Sequence, residues 1–130
     1  LVTHANAASL VPARRNKSDE ELLAIAQTGG VVGINAVNWM LVSSGKATVS
    51  DFVDHVDYVV DLIGINAVGI ASDTYLDGWP SDSVHASSAE LMSFERWFLV
   101  TEELLKRGYE EGEIKKILGG NFRRVLSAML

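Results

Sequence analysis

Two short runs, Val31-Val32-Gly33-Ile34-Asn35-Ala36-Val37 and Ala67-Val68-Gly69-Ile70-Ala71, are apolar at nearly every position. A strand with one face in water alternates apolar and polar residues, so unbroken runs of this length are expected of strands covered on both faces. Between them, Val49, Phe52, Val53, Val56, Val59, Val60 and Ile63 recur at helical spacing, with Asp51, Asp54, Asp57 and Asp61 on the other side of the wheel. That is the pattern of an amphipathic helix. Buried strand, helix, buried strand predicts parallel pairing through a right-handed crossover. Leu1-Val2-Thr3 reads as the end of a further strand. A doubly wound sheet and a closed barrel both fit, and both carry functional residues at the C-terminal ends of their strands.

The remaining segments are punctuated by caps and breakers. Ala5 to Val11 has room for one helical turn, after which Pro12 sends Ala13-Arg14-Arg15-Asn16 out as a loop. Ser18 with Glu21 three residues on predicts a capping box. The helix that follows, with Leu22, Ile25 and Ala26 on its apolar side, should stop at Gly29-Gly30. Thr48 or Ser50 caps the amphipathic helix and Gly64 ends it. Thr74 to Ala89, rich in Asp, Ser, Gly and Pro around Trp79, is a loop long enough to suggest function. Helical spacing returns over Ala89 to Lys106 with Trp97, Phe98 and Leu104 expected inside, and Gly108 breaks it. A short helix over Glu110 to Leu118, a break at Gly119-Gly120 and a last helix capped by Asn121 complete the reading.

Composition narrows the class. A chain of 130 residues supports one hydrophobic core, and 48% apolar with 22% charged residues is a globular balance. The net charge of −6 argues against nucleic acid as a partner, which needs a basic surface. With no cysteine, disulfides and thiolate metal sites are excluded. No apolar run approaches the roughly 18–20 residues of a membrane span, so a soluble protein of the cytoplasm or periplasm is expected. The chain opens on Leu1 inside a strand-like run, which implies sequence upstream.

Three features can carry chemistry. His4, directly after a strand, is placed to be a metal ligand or a catalytic base, or to hydrogen-bond within a loop. Asp73 ends the Val68–Ser72 run, and an acid at the mouth of a buried strand needs a partner. Arg14 and Arg15 can hold a carboxylate with a bidentate fork, or simply be solvated. His55, among aspartates, reads as a solvated histidine, and nothing near His85 suggests ligation. Asp73 and Asp77 lack the other ligands of a calcium loop, and Gly119-Gly120 lacks the strand and spacing of a phosphate loop.

These residues resemble the C-terminal part of the renal (membrane) dipeptidase family, a branch of the metal-dependent amidohydrolases. The resemblance runs through Thr3-His4-Ala5-Asn6, Arg14-Arg15-Asn16, Gly29 to Asn35, Val53-Asp54-His55-Val56-Asp57-Tyr58-Val59-Val60-Asp61 and Val68 to Asp73. It closes with Leu104 to Tyr109 and Ile117-Leu118-Gly119-Gly120-Asn121-Phe122. It implies an α/β fold, namely the C-terminal part of a (β/α)8 TIM-type barrel: about its last three β/α units plus terminal helices. It also implies dipeptide hydrolysis with two zinc ions bridged by a hydroxide. Carried over by position, His4 is a zinc ligand, Arg15 and Asn35 bind substrate, and Asp73 handles the proton passed to the leaving amine.

The chain departs from the family in two respects. Asp73-Thr74-Tyr75-Leu76-Asp77-Gly78 is two residues longer than the family's Asp-Phe-Asp-Gly, which bears on substrate preference. The His-x-Asp pair, the bridging glutamate and the other metal-binding histidine would lie upstream of position 1, so activity is expected only together with that N-terminal part. The alternatives are an amidohydrolase of the same fold acting on another amide or small molecule, and a non-catalytic fragment. Open strand edges would make the 130 residues alone an unstable monomer and favour association, with homo-oligomers expected.

Overall fold

The computed structural model describes residues 1–130. β1, Val32–Ile34, is buried throughout. β2, Val68–Ile70, pairs with it in parallel, Val32 against Val68, Gly33 against Gly69 and Ile34 against Ile70. On the other side of β1, Val2 bridges Val32, also in parallel. The Gly33 amide donates to Val2 O at 2.8 Å and the Ala5 amide to Gly33 O at 3.1 Å. Three segments therefore run side by side in the order Val2, β1, β2, with their C-terminal ends at one edge. The protein is an α/β fold with a partial parallel sheet.

Helices cover the sheet where the capping signals place them. α1, Asp19–Gln27, starts on a reciprocal capping box between Ser18 and Glu21. After it, Gly29 takes a left-handed φ of 72° to reverse the chain. Asn38–Leu41 form α2, a single turn. α3, Val49–Ile63, is capped by Thr48: its hydroxyl accepts from the Asp51 amide at 3.2 Å, and Asp51 accepts from the Thr48 amide at 2.7 Å. The inner face of α3 packs Phe52, Val53, Val56 and Val59 on Leu22, Val32, Ile34 and Val68, one continuous core. Beyond β2 come α4, Ala89–Met92, α5, Arg96–Lys106, α6, Glu111–Lys115, and α7, Asn121–Met129.

Arg107 locks α5 to α3. Its guanidinium donates to Asp54 and Asp57 at 2.6 Å each, to Glu103 at 2.9 Å and to the Ser50 hydroxyl at 2.8 Å. Burial works against this cation, but the carboxylates more than offset it and hold its pKa above the ordinary value. The aspartates that look like a solvated face are thus partly an inter-helix clamp.

The inner surface of the sheet explains two glycines. A Cβ on Gly69 would lie 2.5 and 2.7 Å from the Phe122 ring, and one on Gly33 would lie 2.6 Å from Ala71 Cβ and 2.9 Å from the same ring. Phe122 is held there because its neighbour Asn121 donates to Ile65 O and Val68 O, at 2.7 Å each, at the start of β2.

Three expectations are corrected. His55 is 1% exposed, not solvated. The helix foreseen over Ala89 to Lys106 is broken at Ser93–Glu95. Its second part buries Arg96, Val100 and Leu104 and leaves Phe98 79% exposed. Asn121 spends its amide on the strand rather than on a cap. The break expected at Gly119-Gly120 is present: Gly119 leaves the helical region and kinks the chain between α6 and α7.

Candidate functional site

The site is built at the C-terminal edge of the three parallel segments. His4 follows the Val2 bridge, Asn35 follows β1, and Asp73 lies three residues beyond β2. Neighbouring strands lie about 4.8 Å apart, so the His4 and Asp73 segments are separated by about 10 Å. A small molecule can span that distance.

Buried asparagines hold this edge together. Asn6 accepts from the Asn35 amide at 2.9 Å and donates to Asn35 O and Met40 O at 3.3 Å each. This staples the segment bearing His4 to the end of β1. Asn16 donates to Val11 O at 2.8 Å and Met40 O at 2.9 Å, tying down the turn that carries Arg14 and Arg15. Both arginines are exposed, and neither takes part in the ion pairs of the chain. A guanidinium with no carboxylate of its own, on an anchored turn, can receive one from a ligand.

His55 supports the same region from below. Its Nδ1 accepts from the Ala7 amide at 3.2 Å and its Nε2 lies 3.1 Å from Leu41 O, which assigns the neutral tautomer with the proton on Nε2. Burial pushes its pKa below the ordinary 6.5, against the Leu41 hydrogen bond and the charges of Asp54 and Asp51. Its position was readable: His55 lies three residues after Phe52 and four before Val59, on the buried stripe. The aspartates on either side of it masked that signal.

Asp73 is exposed and is the only non-glycine residue with a positive φ, 55°. The left-handed conformation is uncommon for a residue with a Cβ, although aspartate tolerates it better than most. Its carbonyl accepts from the Trp79 indole at 2.9 Å, and Ser72 O accepts from the Ala36 amide, also at 2.9 Å. Asp73 is therefore fixed by its backbone while its carboxyl is free to act.

Asn35 sits at the strand mouth but is turned inward. It is fully buried, with Oδ1 accepting from the Val37 amide at 3.0 Å and Nδ2 3.1 Å from the Met40 sulfur. Through these bonds it shapes the mouth of β1.

The loop after Asp73 folds back over this mouth. Trp39 Nε1 donates to His85 Nδ1 at 3.1 Å. The His85 ring lies 4.9 Å from that of Trp79, which in turn meets Tyr75 edge-on at 4.6 Å. Arg96, 3% exposed, donates to Tyr75 O at 2.8 Å and Leu76 O at 3.2 Å from beneath, and to Met92 O and Ser93 O at its own end. Burial lowers its pKa and Asp77 opposes that shift.

As a metal centre the chain offers little beyond His4. No group of three or more His, Asp or Glu side chains converges anywhere in it. A zinc site takes three or four protein ligands, so His4 fits as one ligand of a set that these residues do not complete. The largest cavity, about 560 Å³, lies at the opposite end of the sheet, between Gly29-Gly30, Ile63–Ala67 and Arg124. No helix is long and apolar enough to cross a membrane.

Comparison with known proteins adds to this geometry. The model of the membrane dipeptidase family, peptidase family M19, matches residues 1–129. Dipeptidase tcpJ of Claviceps purpurea is 35% identical over 97% of this chain and 28% of its own length. Dipeptidase verJ of Clonostachys rogersoniana is 31% identical over 99% and 31%. An amidohydrolase from Pseudomonas aeruginosa superposes with a TM-score of 0.80 at 30% identity, covering 95% of this chain and 43% of that one. A metallo peptidase from Rhodobacter sphaeroides, liganded with a phosphinate mimic of the dipeptide L-Ala-D-Ala, gives a TM-score of 0.82 at 24% identity over 96% and 34%, a likeness of fold. The chain spans less than half the length of each of these relatives.

Proposed function

The chain belongs to the membrane dipeptidase family M19, a family of metallopeptidases, and from that premise we propose that it forms the last part of a (β/α)8 barrel that hydrolyses dipeptides with zinc. The observation that supports this most directly is the shared C-terminal edge of the parallel segments, where His4 follows the Val2 bridge on one side of β1 and Asp73 follows β2 on the other. In a barrel, that edge is where the strand ends carry catalytic groups. Under this reading, residues outside positions 1–130 supply the remaining metal ligands.

Bound zinc would lower the pKa of a coordinated water and polarise the scissile carbonyl. His4 would donate one nitrogen to it. Arg15 would take the substrate's terminal carboxylate in a bidentate fork, fixing the dipeptide on the turn that Asn16 anchors. Asp73 would accept a proton and return it to the leaving amine, since a carboxylate held by its backbone and free at its tip can do both. Asn35 would serve the substrate by setting the shape of the strand mouth. Hydrolysis of another amide is a second reading, favoured by the longer segment Asp73–Gly78.

The test compares, in the full-length protein, a dipeptide with the same dipeptide amidated at its C-terminus. Amidation should raise KM strongly, and Arg15→Met should raise KM for the free acid by about 10- to 100-fold while leaving the amide unaffected, as loss of a charge-assisted pair predicts. Equal discrimination by the parent and the Arg15→Met variant would remove Arg15 from this role.

A further inference from the structure

The longer segment after Asp73 is a built feature. The buried guanidinium of Arg96 holds its tip through Tyr75 O and Leu76 O, and the Trp79 indole ties its return to Asp73 O. Gly78, buried and left-handed at φ 77°, packs so closely on Met92 that a Cβ would strike the Met92 carbonyl. This scaffolding presents aromatic surface next to the Asp73 backbone: Tyr75, 58% exposed, edge-on to a half-buried Trp79 that bonds Asp73 O, with the His85 ring 4.9 Å from that indole. A tyrosine whose backbone is held and whose ring is exposed can offer that ring to a ligand at little cost in ordering.

We propose that Tyr75 and Trp79 form a specificity wall that selects dipeptides with an aromatic side chain on the residue C-terminal to the scissile bond. The proposal rests on the reading of Asp73 as the carrier of the proton to the leaving amine. That amine belongs to the C-terminal residue, so the side chain nearest Asp73, and hence nearest the indole bonded to Asp73 O, is the C-terminal one. Ring-to-ring contacts discriminate by between about twofold and tenfold each.

The experiment uses the full-length, zinc-loaded protein with Ala-Phe, Phe-Ala and Ala-Ala. The expected result is a kcat/KM order of Ala-Phe above Phe-Ala and Ala-Ala. Tyr75→Ala should shrink the Ala-Phe to Ala-Ala ratio by about threefold to tenfold, mostly through KM, Tyr75→Phe should keep it, and Phe98→Ala, an exposed ring in the first turn of α5, should not alter it. An unchanged ratio in Tyr75→Ala, or a parent enzyme that prefers Phe-Ala, overturns the wall while leaving dipeptidase activity standing. If no dipeptide is turned over, the functional reading fails separately. The wall is then judged by binding of Ala-Phe and Ala-Ala read from tryptophan fluorescence, where equal affinities overturn it.

Discussion

Gly69→Ala tests how the terminal helix is seated. The added methyl would lie 2.5 and 2.7 Å from two carbons of the Phe122 ring, where carbon atoms rest at about 3.5–4.0 Å. The ring must move by about 1 Å. Its backbone cannot follow freely, because Asn121 is pinned to Ile65 O and Val68 O. Overpacking of this kind costs about 1–3 kcal/mol. Phe122 is half-buried, so part of the strain can be relieved by swinging the ring outward, and the lower half of that range is expected. In a Phe122→Ala background the same methyl keeps only the Val31 Cγ1 contact at 3.3 Å, which a shift of a few tenths of an ångström relieves, and its cost should fall below about 0.5 kcal/mol. The cycle of parent, Gly69→Ala, Phe122→Ala and the double variant, followed by urea unfolding of the full-length protein, should therefore show a coupling of about 0.5–2 kcal/mol. Additive effects, or a neutral Gly69→Ala, would refute the seating of Phe122 on the strand glycines.

Two further outcomes follow from ionisable groups held away from solvent. The folded pKa of His55 is depressed, so its contribution is fully present above the ordinary 6.5 and is lost as pH falls through the folded value. Stability should decline below pH 6.5 with a slope approaching one proton, and His55→Gln should flatten that slope in pH-dependent unfolding. Arg107→Met removes a cation shared by Asp54, Asp57 and Glu103 and should cost about 2 kcal/mol. Arg107→Lys should recover less than half of that in urea unfolding, because an ammonium cannot reproduce the planar fork.

The sheet was readable because burial on both faces leaves apolar runs, and the helix starts were readable because a capping box needs Ser18 with Glu21 or Thr48 with Asp51. The edge bearing His4 and Asp73 followed from strand polarity alone. Other features escaped for physical reasons. The buried guanidinium of Arg96 donates to carbonyls of a distant loop, which no local pattern records, and taking Arg96, Val100 and Leu104 as the inner stripe turns Phe98 outward. Asn6 and Asn16 are polar residues in the core that bond backbone atoms far along the chain, at Asn35 and Met40. The left-handed turn at Asp73 depends on a hydrogen bond from Trp79 that only the folded loop supplies.

The most direct measurement is the hydrolysis of a simple dipeptide by the full-length, zinc-loaded protein and by its Asp73→Asn variant, with zinc content measured in both. The account predicts turnover by the parent, and in the variant a loss of at least about 100-fold in kcat with zinc retained, as expected of a general acid–base group. Turnover in the variant within a few-fold of the parent would contradict it, and so would a zinc-loaded parent that cleaves no dipeptide.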